Sequence, residues 1–130
     1  MSSFSLDLAK FGQKAIDNSE KIIRKIGFDM HARIVKRMPV DTGRARANTQ
    51  ISIDTLPSDS TMETDKSGSG AIRSGGRVLK NFELGDTIFI YNNVEYILNL
   101  EWGSSKQAPQ GMFRISFDEI AQHLGAGRIS

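Results

Sequence analysis

The sequence predicts an α+β fold, with a long N-terminal helix and a C-terminal helix packed on a small, mainly antiparallel sheet. Two observations carry that expectation. Apolar residues recur about every four positions through the first forty residues and again after Met112, while the period drops to two after Gly43. A chain of 130 residues has room for one domain, here 1–130, and for a real apolar core.

The first helix is expected from about Leu6 to Met38. Leu8, Phe11, Ala15, Ile22, Ile26, Met30, Ile34 and Met38 draw one stripe along it. Asp17–Lys21, Glu20–Arg24 and Asp29–Arg33 are acid-before-base pairs one turn apart, the favoured order. Asn18 and Ser19 interrupt the stripe, and Gly27 weakens the middle by about 1 kcal/mol relative to alanine. Pro39 ends the helix, because its ring disfavours helical geometry at the residue before it. Such a helix would span roughly 45 Å, longer than a small domain is wide.

Val40 to Gly43 reads as a turn, with Asp41 and Thr42 able to bond nearby amides and Gly43 free to take positive φ. Arg44–Asp54 then alternates, Ala45, Ala47, Thr49, Ile51 and Ile53 on one face and polar residues on the other. That is the pattern of a half-buried strand. Residues 56–76 carry no apolar pattern and are crowded with Ser, Gly, Asp and Thr, so a long flexible loop is expected there. Thr87–Tyr91 is rich in β-branched and aromatic residues and reads as the second strand. Tyr96 to Trp102 fits a short helix ending on Gly103. Met112 to Leu124 places Phe113, Phe117, Ile120, Ala121 and Leu124 on one helical face. The expected core joins Ile26, Ile51, Ile53, Ile88, Ile90, Phe113 and Phe117.

Composition excludes several chemistries. With no cysteine there is no disulfide, thiolate metal site or thiol nucleophile. Two histidines argue against a histidine-rich metal centre, and no cofactor is expected. No apolar run approaches the ~20 residues of a membrane span, and the first ten residues lack the pattern of a signal peptide. Net charge is only +2, but it is unevenly spread. Residues 1–50 hold ten basic and five acidic side chains; residues 51–130 hold seven and ten. That asymmetry suits a nucleic-acid surface or self-association in which one end meets the other.

Three motifs invite a chemical reading. Asp41-Thr42-Gly43 is the tripeptide of aspartic proteases, some of which are homodimers of about this size, with one carboxylate from each subunit. Here it follows an amphipathic helix rather than an apolar strand, and the plainer reading is a structural turn. Gly68, Gly70, Gly75 and Gly76 lack the Gly-Lys-Ser/Thr that completes a phosphate loop, and Asp59, Glu63 and Asp65 lack calcium-loop spacing. Arg33, Lys36, Arg37, Arg44 and Arg46 crowd one region with Asp41 as the only acid among them. They form a possible phosphate-contacting patch of a small DNA-binding module, or a solvated helix end and an inter-subunit contact. His31 and His123 have no sequence neighbour that would make a nucleophile pair. Trp102 reads either as an interface anchor or as a core side chain.

Three segments in order carry a resemblance. They are Arg-Met-Pro-Val-Asp-Thr-Gly-Arg at 37–44, Thr-Ile-Phe-Ile-Tyr-Asn-Asn-Val-Glu-Tyr at 87–96, and Leu-Glu-Trp-Gly-Ser-Ser-Lys-Gln-Ala-Pro-Gln-Gly-Met at 100–112. With the helices before and after, the chain resembles the small neck and tail-completion proteins of tailed bacteriophages, over most of residues 5–124 except 56–76. The matching positions are Pro39, Asp41, Gly43, Asn92, Tyr96, Glu101, Gly103, Gln107, Ala108, Pro109 and Gly111. The resemblance implies a virion structural protein at the head–tail junction, a neck, tail-completion or tail-terminator component. It would be assembled in the host cytoplasm as a homo-oligomeric ring, most simply a hexamer. Its partners would be other neck and tail-tube proteins and the genomic DNA passing through the lumen. No enzymatic activity and no membrane association are implied.

Overall fold

A computed structural model describes residues 20–103, 106–108 and 110–125. The described elements are α1 (Glu20–Arg37), α2 (Arg44–Ala47), β1 (Gln50–Ile53), α3 (Ser69–Leu79), β2 (Ile88–Tyr91), α4 (Ile97–Glu101) and α5 (Phe113–Gly125). β1 and β2 pair antiparallel with Ile51 opposite Ile90 and Ile53 opposite Ile88. The ribbon is extended at one end, where the Asp54 amide donates to the Thr87 carbonyl and Asp54 Oδ1 accepts the Thr87 amide, both at 2.8 Å. The class is α+β, as the two alternating periods indicate.

The core forms where the stripes meet. Ile23, Ile26, Met30 and Ile34 line the buried face of α1, and with Met38 just after it they pack against Ile51, Ile88, Ile90, Leu79, Phe82, Met112 and Phe113. Ile53 and Phe117 pack on the edge of the same cluster, so all seven residues expected in the core belong to it. α1 starts within the described residues at Glu20 and ends at Arg37, one residue short of the expected stop before Pro39. The part of the expected helix between residues 6 and 19 lies outside the described residues.

Two expectations are corrected. The strand expected over Arg44–Asp54 is a helical turn followed by a strand of four residues, Gln50–Ile53. Arginine and alanine are strong helix formers, and the turn is fixed from outside. The Ala45 carbonyl accepts from Thr49 Oγ1 at 2.9 Å and from Asn92 Nδ2 at 2.8 Å. The long loop expected over 56–76 is shorter, because Ser69–Leu79 is helical in spite of three glycines. Here packing overrides propensity. Ala71, Gly75 and Leu79 recur every four residues and form the buried face of α3. Asp65, set aside in sequence for lacking calcium-loop spacing, caps the helix: Oδ1 accepts the Gly68 amide at 3.1 Å and Oδ2 the Ala71 amide at 2.9 Å.

The rest of the loop is tied down within the chain. Asn48 exchanges hydrogen bonds with the Thr61 backbone, accepting from its amide at 2.9 Å and donating to its carbonyl at 3.0 Å. Asn93 Nδ2 donates to the carbonyls of Pro57 at 2.7 Å and Asp59 at 3.1 Å. Gly75 sets the approach of α3 to α1, since a Cβ there would lie 2.6 Å from His31 Nδ1. His31 is fully buried; its Nε2–H donates to the Thr49 carbonyl at 2.8 Å, and Nδ1 has no partner among the described residues.

Burial lowers the His31 pKa from 6.5 to about 4, against the smaller opposing effect of the Thr49 hydrogen bond. Above pH 6.5 the imidazole is neutral in both states, and its contribution is complete. Between pH 6.5 and about 4 the unfolded chain binds a proton that the native chain refuses, so stability falls with falling pH. The loss should reach roughly 3 kcal/mol by pH 4. Urea titrations across this range should show the slope in the parent protein and a much flatter profile in His31→Gln.

Candidate functional site

The motif residues are distributed between a cleft and the frame that holds it. Pro39, Asp41, Gly43, Tyr96 and Gln107 border an open cleft of about 580 Å³, together with Met62 and Leu100. The cleft lies between the bend after α1, the 61–64 segment and α4. Gly43 adopts φ +90, and a Cβ on it would sit 2.6 Å from the Lys66 amide nitrogen. A side chain here would therefore be strained and would also collide with backbone. The Asp65 amide donates to the Gly43 carbonyl at 2.9 Å, which lays the loop directly over the bend.

Gln107 closes the far side. Its Oε1 accepts the Val40 amide at 3.0 Å and its Nε2 donates to the Val40 carbonyl at 3.2 Å, a reciprocal pair across 67 residues of sequence. Asn92 joins β2 to α2, donating to the Ala45 carbonyl and to Thr49 Oγ1 while its Oδ1 accepts the Val94 amide at 3.0 Å. It is fully buried, with both ends of its amide bonded.

Glu101 is the centre of the frame. It is fully buried at the end of α4, and it caps the first turn of α5. Oε1 accepts the amides of Met112 at 3.0 Å and Phe113 at 2.9 Å; Oε2 accepts the Arg114 amide and Arg114 Nε, both at 3.0 Å. Arg114 also donates to the Glu101 carbonyl. A carboxylate at a helix N-terminus is favoured by the orphan amides and by the helix dipole together. The close approach depends on Gly111, at φ +84, where a Cβ would stand 2.5 Å from the Glu101 carbonyl oxygen. Gly103, at φ +89, ends α4 as expected. Ala108 is buried, and Pro109 lies outside the described residues.

Trp102 points outward beside this cap. It is 66% exposed, and the Arg114 guanidinium lies 4.1 Å from its ring centre. Of the two sequence readings, the core side chain is excluded within this chain.

The five cations of the expected basic patch do not form one free surface. Arg33 and Arg37 both reach Glu119, with nearest distances of 2.7 and 2.5 Å. Hydrogen bonds from Arg37 and then Arg33 hold the Glu119 carboxyl at about 2, below the usual 4.5. Arg44 bonds the Thr61 carbonyl at 3.0 Å and Glu95 at 2.7 Å, and its guanidinium lowers the Glu95 pKa. Arg46 donates to the carbonyls of Lys36, Met38 and Lys66 at 2.9 to 3.0 Å. Lys36 is exposed. Four of the five cations therefore stitch the bend, the loop and the two long helices together.

Asp41 is exposed on the bend. The described strands form a single two-stranded ribbon, so Asp41-Thr42-Gly43 follows a helix and precedes another, unlike the strand-flanked turn of an aspartic protease. Among the described residues no group of three or more His, Asp or Glu could hold a metal ion, and no helix is long and apolar enough to cross a membrane. Sequence reasoning missed the capping role of Asp65 and the clamps of Asn48 and Asn93. Asn48 and Asn93 clamp backbone groups 13 to 36 residues away and leave no local pattern, whereas Asp65 caps amides three and six residues on, a signal hidden by the glycine-rich composition that follows.

Replacing Glu101 by alanine should cost about 3–5 kcal/mol, since it orphans three helix amides and leaves Arg114 without its counter-ion. Glu101→Gln keeps an acceptor for Met112 and Phe113 but turns an amide toward Arg114, so an intermediate loss is expected. Equilibrium unfolding in urea measures both, and equal stability of all three proteins would refute the cap.

The chain matches no protein-family model, no curated protein and no solved structure.

Proposed function

We propose that this chain is a structural subunit of the head–tail junction of a tailed phage, assembling with copies of itself into a ring through which DNA passes. The observation that carries the reading is the interlock of the three resembling segments. Residues 37–44 precede 87–96 and 100–112 by more than forty positions, yet Gln107 binds Val40 and Glu95 binds Arg44, Asn92 binds Ala45 just after the first segment, and within the third Glu101 binds the start of α5. The shared pattern is thus a single architectural unit: two turns, a buried clamp and a helix cap around one cleft.

The site offers positioning chemistry. Its buried polar groups are engaged with backbone, which suits a rigid subunit that presents surfaces to neighbours. Opposite net charge in the two halves favours contacts of one end with the other, and unlike surfaces in contact close into rings when the rotation permits. A hexamer is the ring size the resemblance suggests. The commitment of Arg33, Arg37, Arg44 and Arg46 to partners inside the subunit supports an architectural role for that region over a DNA-reading surface.

Phage made without this protein should accumulate filled heads and tails that fail to join, or tails of faulty length or stability. Normal infectious particles, or absence of the protein from purified virions, would refute the proposal. Binding to duplex DNA should be weak at physiological salt. A steep fall of log affinity with log salt, as several neutralised phosphates would give, would instead favour the DNA-binding module.

A further inference from the structure

An apolar groove lies open along the outer side of the α1–α3 pair. It has a volume of about 710 Å³, and Ile22, Phe28, Gly76 and Leu79 line it. Phe28 is 39% exposed, and a Cβ on Gly76 would stand 3.4 Å from its ring, so the glycine keeps the groove open. The rim is cationic. Lys21, Lys25 and Lys80 are exposed, while Arg24 between them is committed to the carbonyls of Leu79 and Phe82.

The groove begins where the described residues begin. Lys21 lines it and Glu20 is the first residue of α1, so residues 1–19 are attached at its edge. That segment carries Phe4, Leu8, Phe11 and Ala15, a stripe at the three- and four-residue spacing of a helix face. Asp17, Asn18 and Ser19 follow, residue types that favour turns and helix caps over helix interiors. Three residues are enough to join two antiparallel helices. At about 1.5 Å per residue the stripe would run roughly 16 Å, and α1 from residue 20 to 28 runs roughly 12 Å. The stripe is long enough to cover the groove.

We propose that residues 4–15 fold back at 17–19 and lay Leu8 and Phe11 into the α1–α3 groove of their own chain. The tether selects this occupant. A segment held by a short turn competes at an effective concentration of about millimolar, which a free partner seldom reaches. Charge does not oppose the contact, since Asp7 and Asp17 balance Lys10 and Lys14 in the segment. Burial of Leu8, Phe11 and Phe28 supplies the driving force. The arrangement departs from the uninterrupted helix over 6–38 that the apolar spacing predicts, because it assigns a turn to the interruption at Asn18 and Ser19. The contact lies within one chain and stands apart from the ring reading.

Two measurements on the full-length protein test the fold-back. The first is a double-mutant cycle in urea, with Phe28→Asp at the groove and Leu8→Ser with Phe11→Ser in the segment. Phe28→Asp should lower the folding constant of the parent about tenfold more than that of the Leu8→Ser, Phe11→Ser protein. The difference should not vary with protein concentration. The second uses the absence of native cysteine. With Gly12→Cys and Lys25→Cys in one chain, a short thiol cross-linker should close a loop within the monomer. Adding Leu8→Ser and Phe11→Ser should slow that closure several-fold. In an unbroken helix the two positions stand roughly 20 Å apart, beyond a short cross-linker.

Additive losses in the cycle, or failure of the loop to close, would overturn the inference. Closure at a rate indifferent to Leu8→Ser and Phe11→Ser would overturn it as well, by showing chance encounter of a free tail. Cross-links between separate Gly12→Cys and Lys25→Cys proteins on mixing would overturn it in favour of a second copy as the occupant. If Phe28→Asp fails to fold, the cross-link decides alone.

Discussion

The fold depends on one buried carboxylate. Glu101 ends α4 and begins α5, and no other described group supplies both the charge and the acceptors that the first turn of α5 requires. Burial of a lone carboxylate is costly, and here three amides and a guanidinium offset it. Everything downstream follows from that anchor. α5 is held against α1, Glu119 comes within reach of Arg33 and Arg37, and Arg114 is aimed over Trp102. Gly111 is part of the same device, since any side chain there would occupy the space of the Glu101 carbonyl.

A second theme is the use of charge for internal joinery. Isolated surface ion pairs contribute little, typically under about 1 kcal/mol. The arginines here do more because they bond carbonyls as well as carboxylates. Arg24 reaches the carbonyls of Leu79 at 3.0 Å and Phe82 at 2.6 Å, holding the C-terminal end of α3 against α1. Arg46 gathers carbonyls from the end of α1 and from the loop before α3. Planar guanidinium groups with several donors suit this task, which a lysine with one point charge would not perform.

Much of the fold was legible in the residues. The α1 stripe, the Ile88–Tyr91 strand and the helix after Met112 announce themselves by spacing, because each buries one continuous face. The Arg44–Ala47 turn was misread because alternation of arginine and alanine satisfies a strand pattern as well as a helix. The deciding contacts come from Asn92, more than forty residues away. α3 was misread because its glycines resemble a linker, although the four-residue spacing of Ala71, Gly75 and Leu79 was present in the sequence. At the site, Pro39, Gly43 and Glu101 were legible as positions but not as roles. A capping carboxylate ten or more residues before its helix has no local signature.

The order in which this chain can fold follows from where its clasps lie. β1 and β2 pair residues separated by about the length of a small helical hairpin, and the Arg37–Glu119 clasp closes over 82 positions. Such distant closures must be made before they are rewarded, which slows folding and delays burial of the core. On the ribosome, the apolar face of α1 would emerge early and wait for β2, α4 and α5 before it could be covered. The cleft beside the bend, which needs Tyr96, Leu100 and Gln107 as well as Gly43 and Met62, is then complete only when most of the chain has emerged.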